Sequence, residues 1–117
     1  MNELFHTEQR GDVFILHVLQ DLRELKFETV NQALQSFSEK DSVRALVIDF
    51  AGTRYFGSSA MGHLTQVMRK IQGRGGSVAF CNLSPLQKEI LEITGFDTIW
   101  PCFETLDKAL EAVSAHA

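Results

Sequence analysis

The chain has 117 residues, 44% of them hydrophobic and 22% charged, with a formal net charge of −4. That length suits one domain with one buried core, and the composition argues against a disordered chain. The acidic balance disfavours a nucleic-acid partner, which needs a basic footprint.

The two cysteines, Cys81 and Cys102, form no C-x-x-C pair and leave a zinc site incomplete. Cys81 closes the apolar run Val78-Ala79-Phe80 and reads as a buried small hydrophobe. The first residues carry Glu3, Glu8 and Arg10 and no apolar stretch. The expectation is a cytoplasmic protein with no secretory signal, no membrane insertion and reduced thiols.

In chain order, Leu4–Gln9 and Val13–Leu19 read as two strands around the turn signal Arg10-Gly11-Asp12, an antiparallel hairpin. Phe27, Val30, Leu34 and Phe37 then recur at helical spacing. Ala45-Leu46-Val47-Ile48-Asp49-Phe50 is a near-continuous apolar run, expected as a central strand covered on both faces. Asp49 at its end is expected to accept backbone or loop N–H bonds.

After a loop from Ala51 to Gly57, the residues Ala60, Leu64, Val67, Met68 and Ile71 trace a second helical stripe, stopped by Gly73-Arg74-Gly75-Gly76. Ser77–Asn82 is the next strand. Strand, helix and strand at this spacing make a βαβ unit, with Ala45–Phe50 and Val78–Cys81 parallel and adjacent.

Ser84, Pro85 and Gln87 spell a capping box with proline at the first helical position. Leu86, Ile90, Leu91 and Ile93 supply the expected apolar face of that helix, and Gly95 its C-terminal cap. Thr98-Ile99-Trp100 reads as a short edge strand. A last helix is capped by Thr105, with Leu106, Ala109, Leu110 and Val113 as its face. The fold class is therefore α/β, one domain over residues 1–117, with a mixed four- to five-stranded sheet and about four helices. Leu46, Val47, Ile48, Leu64, Val67, Val78, Phe80, Ile90 and Leu110 are expected to be largely buried.

Chemistry is expected in the segment Tyr55-Phe56-Gly57-Ser58-Ser59-Ala60-Met61-Gly62, which leaves a central strand and enters a helix. One of the two serines is expected to cap the helix. Gly57 and Gly62 match the glycines of a phosphate-binding loop, but His63 and Leu64 replace the lysine and hydroxyl residue that the loop needs. A nucleophile elbow fails at Met61, where the last glycine is required. His6, His17, His63 and His116 show no metal-ligand spacing. No catalytic residue, metal or cofactor is assigned, and hydrolase activity is the least favoured reading.

The order of these pieces resembles the STAS family, whose soluble bacterial members include anti-sigma factor antagonists. The match runs through Leu46-Val47-Ile48-Asp49-Phe50, Gly57-Ser58-Ser59-Ala60-Met61-Gly62, Gly75-Gly76-Ser77-Val78, Asn82-Leu83-Ser84-Pro85, Ile90-Leu91-Glu92-Ile93-Thr94-Gly95-Phe96 and Thr105–Leu110. The resemblance implies a regulatory protein-binding module, not an enzyme. Its partner would be an anti-sigma factor, a serine kinase or another regulatory protein. Ser58 falls on the position phosphorylated in the family, and Gly57, Ser58, Ser59, Met61 and Gly62 form the implied partner-binding face. Gly57 stands where the family usually has aspartate, and Ala60 where it usually has glycine. Gln20-Asp21-Leu22 replaces a Gly-x-Leu turn. The resemblance also admits an unphosphorylated scaffold, such as an accessory subunit of a lipid-transport ABC complex.

Overall fold

The computed structural model describes residues 5–20 and 44–114, apart from the side chains of Ser58 and Ser59. The expected helix on Phe27, Val30, Leu34 and Phe37 lies outside the described residues. Strands β1 (Phe5–Arg10) and β2 (Val13–Val18) form the antiparallel hairpin, with Arg10 opposite Val13. Strand β3 (Ala45–Asp49) pairs in parallel with β2 and with β4 (Ser77–Cys81). A two-residue β5 (Cys102–Phe103) completes a five-stranded mixed sheet in the order β1-β2-β3-β4-β5. The helices among the described residues are α1 (Ser58–Gly73), α2 (Pro85–Thr94) and α3 (Leu106–Ser114), with a 3-10 turn at Phe96–Thr98. None of them is long and apolar enough to cross a membrane.

Side chains alternate across a strand, so the sheet sorts its apolar residues into two layers. Leu16, Val18, Leu46, Ile48 and Phe80 face α1, which contributes Ala60, Leu64, Val67, Met68 and Ile71. Val13, Ile15, Ala45, Val47, Ala79 and Cys81 face α3 through Ala109 and Val113. All five residues of β3 are buried because both of its faces are covered. The α1 stripe is buried throughout. The helix ends at Arg74, followed by Gly75 at φ +82°. There the N–H groups of Gly75 and Gly76 donate to the carbonyls of Gln72 and Ile71, the Schellman arrangement.

Three expectations are corrected. The edge strand forms at Cys102–Phe103, not at Thr98–Trp100. Gly95 turns left-handed after α2 (φ +81°), and the chain then winds through the 3-10 turn. Trp100 N–H donates to the carbonyl of Phe96, so the intervening residues have no extended backbone to offer the sheet. On α2, Leu86 and Ile93 are exposed, at 47% and 77%, whereas Gln87 and Leu91 point inward. Gln87 and Leu91 are one helical turn apart, and the flank carrying Leu86 and Ile93 is rotated well away from them. Ile90 and Leu110 are half-buried, because each lies beside its helix's buried stripe and not on it.

Candidate functional site

The C-terminal end of β3 is built around the carboxylate of Asp49, which is nine-tenths buried. Its Oδ1 accepts from the backbone N–H of Ala51 at 3.0 Å and from Nδ2 of Asn82 at 2.9 Å. This is the expected role of Asp49, extended to a side chain at the end of the neighbouring strand. Asn82 holds a left-handed backbone (φ 58°), which asparagine tolerates better than most residues. Oδ2 of Asp49 faces Nδ1 of His17 at 2.8 Å, and Nε2 of the same ring faces Oε1 of Glu8 at 3.0 Å. Partial burial pulls the His17 pKa down, but the hydrogen bonds to Glu8 and Asp49 outweigh it and raise the pKa above 6.5. The bond to His17, with Arg10 second, holds Glu8 below 4.5. Burial, reinforced by the charge of Asp49, pushes the Cys81 thiol up to about 12.

The loop that follows is fixed from several sides. Gly52 passes so close to β2 that a Cβ there would lie 2.8 Å from the Val18 carbonyl oxygen and 3.0 Å from the Leu19 Cα. Thr53 Oγ1 donates to the Phe50 carbonyl at 3.0 Å and accepts from Gln87 Nε2 at 2.8 Å. Ser84 Oγ donates to the Arg54 carbonyl at 2.7 Å. The two capping-box residues of α2 therefore also tie down the loop before α1. Phe56 is fully buried, edge-on to Phe50 at 5.4 Å and to Trp100 at 5.8 Å. That aromatic anchor delivers the chain to the start of α1.

The N-cap of α1 is Gly57, with extended backbone (φ −89°, ψ 172°), and its carbonyl accepts from Met61 N–H. Ser58 and Ser59 are the first two residues of the helix, so neither occupies the cap position expected for one of them. No acidic residue lies in that first turn. Gly62 is exposed, with open space around it. Met61 is 2% exposed and packs in the core beneath the turn, so it cannot serve as the surface contact expected of it. It extends the stripe already formed by Ala60 and Leu64, a role its position beside Ala60 allows.

Three large apolar side chains rise around the loop, two of which, Leu19 and Leu86, the sequence did not single out for this site. They are Leu19 beyond β2, Tyr55 in the loop itself and Leu86 at the start of α2. Leu19 adjoins Gly52, and Leu86 shares a shallow recess with Arg54, Ser84 and Pro85. For Leu86 a signal existed, since it lies off the stripe that contains Leu91. Chemically the site offers helix-terminal N–H groups, hydroxyl-bearing residues and an apolar rim. Both ring nitrogens of His17 are engaged by carboxylates, so that imidazole has no lone pair free to activate a serine.

The STAS domain family model matches residues 5–109. The chain belongs to the STAS domain family. Among solved structures, an anti-sigma factor antagonist from Mycobacterium paratuberculosis is 26% identical, with a TM-score of 0.85 over 94% of this chain and 92% of that one. An anti-sigma-factor antagonist (STAS) domain protein from Planctomyces limnophilus is 27% identical, with a TM-score of 0.85 over 94% and 97%. The anti-sigma factor antagonist SpoIIAA in its unphosphorylated form shares the fold, with a TM-score of 0.80 at 17% identity over 95% and 96%. This STAS domain thus resembles anti-sigma factor antagonists in its whole architecture.

Proposed function

We propose that this STAS domain is a regulatory protein-binding module that docks an anti-sigma factor or serine kinase through the Tyr55–Gly57 segment and the start of α1, with Ser58 as the phosphorylation switch. The observation that carries the reading is the placement of Ser58 as the first residue of α1, behind a loop held rigid by Ser84, Gln87 and Phe56. A preformed surface binds without a large ordering cost. The docking face comprises Gly57, Ser58, Ser59 and Gly62, rimmed by Leu19, Tyr55 and Leu86. SpoIIAA, which shares the fold, exists in unphosphorylated and phosphorylated forms.

A phosphate on Ser58 adds about −1.5 to −2 charge. At the N-terminus of a 16-residue helix the dipole favours it by about 0.3–1 kcal/mol. The modification therefore leaves the fold intact and acts on the partner, by removing close contact and adding like-charge repulsion. The test compares Ser58→Ala and Ser58→Asp for melting temperature and for binding to a kinase partner captured from the native host. Equal melting with loss of binding only in Ser58→Asp supports the switch. Equal binding by both identifies a constitutive scaffold, the reading in which the domain serves as an accessory subunit of a larger complex.

A further inference from the structure

A row of polar side chains crosses the sheet from its edge to the root of the Ser58 loop. Arg10 Nε donates to Glu8 Oε2 at 2.6 Å, Glu8 Oε1 faces His17, His17 faces Asp49, and Asp49 receives Ala51 N–H and Asn82. The apolar residues of α3 cover the other end of this sheet face, where Val13 and Ile15 lie. The groups meeting the His17 side of the sheet among the described residues are His6, Glu8 and Arg10 from β1, Asp49 from β3 and Cys81 from β4. His6 stacks on His17 with centroids 6.0 Å apart, and the raised Cys81 pKa keeps that thiol neutral.

An ionised carboxylate has only acceptors, so an imidazole bridging two of them needs a proton on each nitrogen. The geometry at His17 is that of an imidazolium. When the second proton leaves to solvent, one nitrogen lone pair is left pointing at a carboxylate oxygen about 3 Å away. Asp49 is nearly buried and already fixed by two further donors, whereas Glu8 is one-third exposed and has Arg10 as a second partner. The retained proton therefore stays on Nδ1 with Asp49, and the Glu8 tie opens.

We propose that His17 is a proton-operated latch joining edge strand β1 to the root of the loop that leads to Ser58. Closed, it pins the hairpin to Asp49 and neutralises the carboxylate that organises Ala51 and Asn82. Open, it leaves that carboxylate uncompensated and the hairpin edge less firmly held. The consequence for partner docking rests on the reading of Ser58 given above. The latch itself is a property of the free protein and is tested there.

The experiment is a pH titration of the isotope-labelled free protein by NMR, following the His17 imidazole, the Ala51 amide and the Asn82 side-chain amide. The His17 midpoint is expected above 6.5, with Ala51 and Asn82 moving at the same midpoint. Glu8→Gln keeps the shape of a partly exposed side chain and removes its charge. It should bring the His17 midpoint down, with Ala51 following. A midpoint at or below 6.5, an Ala51 amide indifferent to His17, or an unchanged midpoint in Glu8→Gln would each overturn the latch. Those outcomes leave the Ser58 comparison standing, and a failed Ser58 comparison leaves the titration standing.

Discussion

Gln87 Nε2 donates to Thr53 Oγ1 at 2.8 Å, while Oε1 of the same side chain accepts from the Ser84 N–H at 2.9 Å. One fully buried amide thus closes the capping box of α2 and clamps the loop before α1. Its two ends serve different elements, which makes the conformation of the loop conditional on the cap of the next helix.

Gln87→Met keeps the volume of the side chain and removes both hydrogen bonds. The N–H of Ser84 loses its acceptor, at an expected cost of about 1–3 kcal/mol. Gln87→Ala adds a cavity term and should cost more. Chemical denaturation of the two variants measures both effects. A Gln87→Met protein within about 0.5 kcal/mol of wild type would show that the clamp contributes nothing to stability.

The second buried polar pair links α1 to the segment before β5. Trp100 Nε1 donates to Thr65 Oγ1 at 2.8 Å, and that hydroxyl donates to the Met61 carbonyl at 2.8 Å. Trp100 also stacks on Phe80 with centroids 4.1 Å apart. Thr65→Val is nearly isosteric but orphans the buried indole N–H, for an expected loss of about 1–3 kcal/mol. Thr65→Ser keeps the acceptor and should cost less. In the Trp100→Phe background the penalty of Thr65→Val should shrink, because no indole donor remains to be orphaned. The chain has one tryptophan, so its fluorescence follows unfolding for every variant that keeps Trp100, and circular dichroism serves for the rest. Full additivity of the two substitutions would refute the coupling.

Much of this architecture is written in local patterns. The near-continuous apolar run of β3, the βαβ spacing, the Ser84–Gln87 box and the Thr105 cap depend on residues close together in the chain, and each is found where its pattern places it. What escaped reading is long-range. Trp100 has strand-forming chemistry, yet Gly95 and the space above Phe80 draw it into the core and push β5 onward to Cys102. Gln87 is polar in composition but sits at the helix position that faces Thr53, 34 residues earlier. Met61 next to Gly57-Ser58-Ser59 looked like an exposed contact, although its place beside Ala60 turns it under the loop. The link from Glu8 to His17 to Asp49 crosses three strands, and only the register shows it: His17 lies opposite Asp49 in the parallel pair, and opposite His6 in the hairpin.

That network also gives the stability of the protein a defined pH dependence. His17 has a raised folded pKa, so its contribution is complete below its unfolded value of 6.5 and is lost as pH rises through the folded value. Glu8 has a lowered folded pKa, so its contribution is present above 4.5 and is lost as pH falls through the folded value. Both are whole between 4.5 and 6.5, where the network stabilises most. His17→Gln removes the alkaline limb. The melting-temperature gap between wild type and His17→Gln should therefore be largest in that window and narrow as pH rises beyond it. Glu8→Gln, by contrast, should erase the acidic limb and weaken the alkaline one together, since the two groups share a hydrogen bond. Thermal melts of the three proteins across roughly pH 4 to pH 9 check this, the range over which His and Glu side chains titrate. A gap over His17→Gln that stays constant across the range would show that folding leaves the His17 pKa unchanged, and one that widens toward alkaline pH would show that His17 is held as the neutral imidazole.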